Sequence, residues 1–337
     1  MKKINKNRLV KVLIIILVLI VVYFLLKVTF IHTLLKVIIY SLLFTYALKP
    51  IYQYMIKRGA KKQISALVLV LLLFMLGIVW MVVLVPQFIS EVVSLKSNFY
   101  KVFEYINNLL SNIKFLQNNY LFNNIIKKLF SFGRKFIEDI IFYIMAIGQN
   151  IATYLIIPVF VYYFLVDSEL FLEKGLYFVS CNKRRIIRRV INHIDCILSK
   201  YILSQIFLSI LTGILTYIIL YFLKVKSPLM LAIFNGVINI IPFFGPVIGA
   251  IPSIIIACAT SLKQGLWVTF WIVIMQQIEG NFLSPKIVGD LVNIHPVLVI
   301  FLLIIGGEIG GFIGMLVAIP IGVIVKVIFE DINYYFY

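Results

Sequence analysis

Runs of apolar residues long enough to cross a bilayer recur along this sequence, separated by short charged clusters, and predict helices of about 20 residues each. The first, Val12–Leu26, follows Lys2, Lys3, Lys6, Arg8 and Lys11 like the core of a signal peptide. Lys27 to His32 follows it rather than a small-residue cleavage site, so a retained first span is expected. A second stretch, Val37–Leu48, begins near Ile31 and ends at Lys49-Pro50. Ile64–Val85 is the third: 22 uncharged residues, or about 33 Å as a helix against a hydrocarbon core of about 30 Å.

The pattern changes between Gln87 and Asp139. Phe99, Val102, Phe103, Ile106, Leu109 and Leu110 recur at helical spacing among polar residues, including eight asparagines between Asn98 and Asn124. Amphipathic helices on the membrane or in a small extramembrane subdomain are expected there. A fourth span covers about Ile140 to Val166, with Pro158 inside it. Residues 167–200 carry the densest basic run, Lys183 to Arg189, opposite Ile186, Ile187 and Val190. An interfacial helix that fixes topology is the simpler reading of that run, and a lipid-headgroup or regulatory site the sharper one. Tyr201–Leu223 is the fifth span.

Composition settles the class. Of 337 residues, 63% are hydrophobic and only 13% charged, against about 45–50% and about 25% in soluble domains. The chain has too little polar surface to cover a globule in water. The formal charge of +18 would suggest nucleic acid in a soluble protein; here basic residues belong at cytoplasmic helix ends, and no nucleic-acid partner is expected. Lys and Arg number 17 on the side of the amino end (residues 1–11, 49–62 and 167–200) against 11 on the other. That bias predicts a cytoplasmic N-terminus. Cys181, Cys196 and Cys258 form no C-x-x-C and are expected as free thiols. Cys181 and Cys196 bracket His193 but fall one ligand short of a closed zinc site, so no metal is expected.

Punctuation gathers late in the chain. Twelve of the 18 glycines and six of the ten prolines lie between Gly236 and Gly322. Leu229–Ile241 and Val247–Ala259 flank Pro242-Phe-Phe-Gly-Pro246, with Gly249 and Pro252 just beyond. Each arm is about 20 Å long, too short to cross alone, and the pair is too long for one pass. A re-entrant hairpin is predicted. Val297–Val325 would need a tilt of about 46° as one helix, and it contains Gly306, Gly307, Gly310, Gly311 and Gly314 before Pro320. A second break is predicted there, with Glu308 at its tip.

Short, Gly/Pro-interrupted apolar segments mark the discontinuous helices of secondary transporters. The polar residues among them are therefore the candidate solute or ion pathway: Glu308, Glu279, Asn239, Asn235, Gln205, Gln277 and Asn281. An intramembrane carboxylate is a functional candidate by default. Against that, Glu308 reads equally as an interfacial or protonated carboxyl, Glu279 as a marker of the water boundary, and the amides as packing contacts. No H-E-x-x-H, G-x-S-x-G or phosphate-loop motif occurs, so neither an enzyme nor a cofactor is expected.

Asn239-Ile-Ile-Pro-Phe-Phe-Gly-Pro-Val-Ile-Gly-Ala-Ile-Pro252 resembles the autoinducer-2 exporter family of permeases, as do Gln277 to Gly289, Ile294-His-Pro296 and the glycines from Gly306 to Gly314 with Pro320. Where that family often reads Tyr-x-x-Gly-Gln, this chain has Tyr201-Ile-Leu-Ser204-Gln205. The resemblance implies export of autoinducer-2 or sodium/proton exchange, and a homo-oligomer in the cell membrane of a bacterium. The expected fold is an all-α polytopic membrane protein of about seven to eight spans, including re-entrant hairpins. Its expected divisions are N-terminal spans (1–86), an amphipathic helical region (87–139), a span (140–166), a basic cytoplasmic segment (167–200) and a broken-helix transport core (201–337). The expected function is secondary transport of a small polar solute, linked to H+ or Na+. The alternative from another class is a membrane scaffold or envelope-assembly protein whose 87–139 region binds a partner.

Overall fold

Every regular element among the described residues is helical, as a chain that must satisfy its backbone inside lipid requires. The structure is a computed structural model and describes residues 29–87, 89, 90, 93, 128, 131, 134, 135, 138, 154–288 and 294–336. The expected first span, most of the 87–139 region and the start of the fourth span lie outside these. The helices are α1 (Thr29–Lys57), α2 (Lys62–Val79), α3 (Ile157–Val166), α4 (Ser168–Tyr177) and α5 (Cys181–Phe222). They continue as α6 (Pro228–Ile238), α7 (Phe244–Thr260), α8 (Leu262–Ile278), α9 (Ser284–Ile287) and α10 (Pro296–Phe336).

α1, α2, α5 and α10 are long and apolar enough to cross a membrane, and α3, α6 and α7 are shorter apolar helices. α2 shows why the surroundings must be lipid. Leu71, Leu72, Met75, Leu76 and Val82 are all exposed along it, a continuous apolar surface that water would not tolerate. α2 ends in a π turn over Trp80–Leu84. Pro158, expected inside the fourth span, opens α3 instead, where its missing N–H leaves no helical bond unmade.

α1, α2 and α3 form one packed unit around Val37, Ala66, Leu69 and Val161. α1 is tied to α5 by an ion pair between Lys49 and Asp195. α5 runs for 42 residues, about 63 Å, so the basic segment and the fifth span are one continuous helix. No residue between them breaks the helical period.

Two helical hairpins pack against α5 from opposite ends. α6 and α7 make the first, turning at residues 239–243. The break is narrower than the Pro242–Pro246 motif suggests: Gly245 and Pro246 already lie in the first turn of α7, and Pro252 lies inside it. The Phe244 N–H donates to the Pro242 carbonyl at 2.7 Å across Phe243, whose φ of 63° is strained for a side-chain-bearing residue. α10 holds the second hairpin, folded back at Gly311 with φ 58° and ψ −138°. Its arms touch backbone to backbone, since a Cβ on Gly314 would run into the Gly306 carbonyl.

The depth of both tips follows from contacts with α5. Asn239 meets Thr212, ten residues and about 15 Å from the end of α5 at Phe222, half the thickness of a core of about 30 Å. At the other end, His193 contacts Asp331 at 3.1 Å. From there the second arm climbs 19 residues to Phe312, about 29 Å, reaching roughly the same level of α5. Ile241 and Phe244 of the first tip pack with Leu303, Ala318 and Ile319 of the second hairpin.

Candidate functional site

The site grows from a stripe on α5. Gln205, Ser209, Thr212 and Thr216 follow at spacings of four, three and four, which puts them on one helical face, and all four are buried. α6 offers a matching pair one turn apart, Asn235 and Asn239, both buried. Close approach of the two helices depends on glycine. A Cβ on Gly236 would lie 2.9 Å from the Ser209 carbonyl and 3.2 Å from the Gly213 Cα.

The facing stripes then join. Asn235 Nδ2 donates to Thr216 Oγ1 at 2.7 Å, and Asn239 Nδ2 to Thr212 Oγ1 at 3.0 Å. Gln205 Nε2 donates to the Asn239 carbonyl at 3.0 Å, satisfying backbone that the hairpin turn leaves open. Bonds of this kind average only about 0.6 kcal/mol each in a membrane, so they fix geometry more than they stabilise the fold.

Glu279 completes the cluster. It opens a π turn, Glu279–Leu283, in which the Ser284 N–H reaches back to the Glu279 carbonyl. Such single turns re-aim side chains and recur at functional sites. Glu279 is 7% exposed; its Oε1 accepts from Asn239 Nδ2 at 2.5 Å, the same amide nitrogen that donates to Thr212 Oγ1. Reading Glu279 as a marker of the water boundary therefore fails, because the π turn carries it inward. Its second oxygen, Oε2, has no hydrogen-bond partner within the described residues.

Other buried oxygens share that condition. Asn235 Oδ1, Asn239 Oδ1, Ser209 Oγ and Ser253 Oγ are also without partners, although most buried polar atoms are satisfied. Asn235 Oδ1 lies against Gly249, where a Cβ would displace it. No salt bridge reaches Glu279 among the described residues. A buried carboxylate needs a compensating charge or a proton, and hard oxygen donors suit a small cation.

The remaining candidates lie elsewhere. Glu308 is exposed, three residues before the Gly311 break, with Ile309 beside it at 81% exposure. Gln277 and Asn281 are exposed and bond to each other at 3.1 Å. Their neighbour Gln276 is the one that reaches the hairpin, donating to the Pro246 carbonyl at 2.7 Å. Thr212, Thr216 and Gln276 were not among the sequence candidates. The four-three-four polar spacing within an apolar helix was the signal for the threonines. Among the described residues no three or more His, Cys, Asp or Glu side chains gather into a metal-binding group.

Comparison with known proteins gives this arrangement its setting. Residues 12–334 match the AI-2E family transporter family. The chain is 31% identical over 297 residues to "Putative transport protein YrrI" of Bacillus subtilis (strain 168), covering 86% of this chain and 84% of that one. "Putative transport protein YueF" of the same organism is 30% identical over 56% of this chain and 52% of its own. "AI-2 transport protein TqsA" of Escherichia coli (strain K12) is 29% identical over 40% of this chain and 39% of its own. A match across nearly the whole chain, on a helical membrane framework with two broken helices, makes this protein a multi-pass membrane transporter of the AI-2E family.

Proposed function

We propose that the protein is a secondary transporter of a small polar solute, coupled to H+ or Na+ through Glu279. One observation carries this reading: a carboxyl that is buried, and among the described residues has no salt bridge and one unpartnered oxygen, lies at mid-membrane depth beside a hairpin tip. The carboxyl binds the ion, and Asn239 reports its occupancy to the hairpin through a direct hydrogen bond. Asn239 also joins that hairpin to α5 through Thr212 and Gln205. Movement of the two hairpins against α5 then opens the cluster to one side at a time. The exposed carboxylate of Glu308 lines the aqueous side of the path.

The solute class is that of autoinducer-2, suggested by the name of the relative TqsA. The protein acts as an exporter in the bacterial cell membrane, as a homo-oligomer with its N-terminus in the cytoplasm. Flux of autoinducer-2 from proteoliposomes tests the function: efflux faster than from protein-free vesicles is expected, and equal rates would contradict it. Orientation rests on the Lys and Arg bias. Cysteines placed singly at 58 and 112 should be labelled from the cytoplasmic and external faces respectively, and the reverse result would invert the topology.

A further inference from the structure

The transport reading makes no use of the basic end of α5. There, a cavity of about 530 Å³ is lined by Glu173 and Leu176 of α4 and by Cys181, Arg184, Arg185 and Arg188 of α5. The three arginines share a helical face, since 184 and 188 are four apart and 185 and 188 three apart. Glu173 offsets one of them, meeting Arg188 Nη2 at 3.5 Å. Two positive charges remain over, at the N-terminal end of a long helix where backbone dipoles add to them.

Arg184 is already placed by the fold. Its Nε donates to the Val179 carbonyl at 2.8 Å and its Nη2 to the Tyr177 carbonyl at 3.3 Å, so it pins the α4–α5 turn while its guanidinium edges the cavity. That turn carries Tyr177 at 76% and Phe178 at 91% exposure, and Leu170 and Phe171 of α4 are also exposed. Phe171 stacks edge-on with Phe164 of α3, centroids 6.0 Å apart, which holds α4 close to the end of a membrane helix.

We infer that this cavity binds the phosphate headgroup of an anionic membrane lipid. The guanidiniums supply the charge complement, and the exposed aromatics and aliphatics beside them supply an apolar surface for the lipid body. A soluble anion would use the arginines but leave Phe178 and Tyr177 unexplained. The chain's own amino end is an unsuitable occupant, because Lys2, Lys3, Lys6, Arg8 and Lys11 repeat the charge of the cavity.

Cys181 lines the cavity and is an exposed free thiol, which provides the readout. The full-length protein in detergent, with Cys196→Ser and Cys258→Ala, is treated with N-ethylmaleimide while phosphatidylglycerol, phosphatidylcholine or inorganic phosphate is added. Phosphatidylglycerol should slow the labelling of Cys181, and the other two additives should not. R185Q/R188Q, which leaves the turn-pinning Arg184 in place, should raise the half-protecting lipid concentration about 25-fold, at about a factor of five per surface charge. A companion chain retaining only Cys196 should show no protection in either background. Protection by phosphate alone would make this a soluble-anion site and overturn the lipid assignment. Equal protection by phosphatidylcholine, or undiminished protection in the double variant, would overturn it as well.

Discussion

Glu279→Gln is expected to reduce gradient-driven transport to the level of protein-free vesicles while the protein still inserts and folds. Glutamine keeps the size of the side chain and an oxygen that can accept from Asn239 Nδ2, so the bond joining the hairpin turn to the π turn can persist. What it loses is the charge, and with it the capacity to take up a proton or a cation. Removing a buried ionisable group favours insertion rather than opposing it, so expression and thermal stability in detergent should match the parent. Exchange of solute at equal ion concentrations should survive better than gradient-driven flux. Glu308→Gln, tested in the same vesicles, should reduce flux less, because Glu308 is exposed and makes no ion pair among the described residues. The opposite ranking of the two variants would move the ion site to the second hairpin.

The second large effect concerns folding. Gly311 adopts φ 58° and ψ −138°, a region that side-chain-bearing residues avoid, and holding one there costs about 1–3 kcal/mol. Gly311→Ala should therefore lower the melting temperature of the purified protein. Gly314→Ala should do more damage, because its Cβ meets the Gly306 carbonyl and the arms can make room only by separating. Gly310→Ala serves as the internal control: among the described residues a Cβ there meets nothing within 4 Å, so stability should stay near that of the parent. Equal behaviour of all three variants would show that the hairpin does not depend on this fold-back.

Both hairpins were legible in the sequence because length alone is decisive in a membrane. An apolar stretch too short for one pass, or too long for one, has to turn, and Pro242 and the glycines after Gly306 showed where. Their exact limits were less legible: Pro246 satisfies the first turn of a helix as readily as it breaks one. The amides at 205, 235 and 239 stand out in the sequence as packing contacts or pathway groups, and each bonds across helices. Glu279 was harder, because Gln276-Gln-Ile-Glu-Gly-Asn281 has the composition of a helix end at water. Only the π turn, which no residue pattern announces, rotates the carboxyl inward while Gln277 and Asn281 stay outside. The continuity of α5 was likewise hidden, because a basic segment and an apolar span differ in composition but not in helical period.

Ion coupling through the buried Glu279 carboxyl can be read from flux in vesicles. Proteoliposomes loaded with autoinducer-2 are diluted into three media, imposing an inward H+ gradient, an inward Na+ gradient, or neither, and initial efflux is recorded together with the internal concentration of each ion. One of the two gradients should accelerate efflux, and an outward solute gradient alone should draw the same ion inward. Both effects should vanish in Glu279→Gln. Efflux that is identical in all three media, with no movement of either ion, would contradict ion coupling.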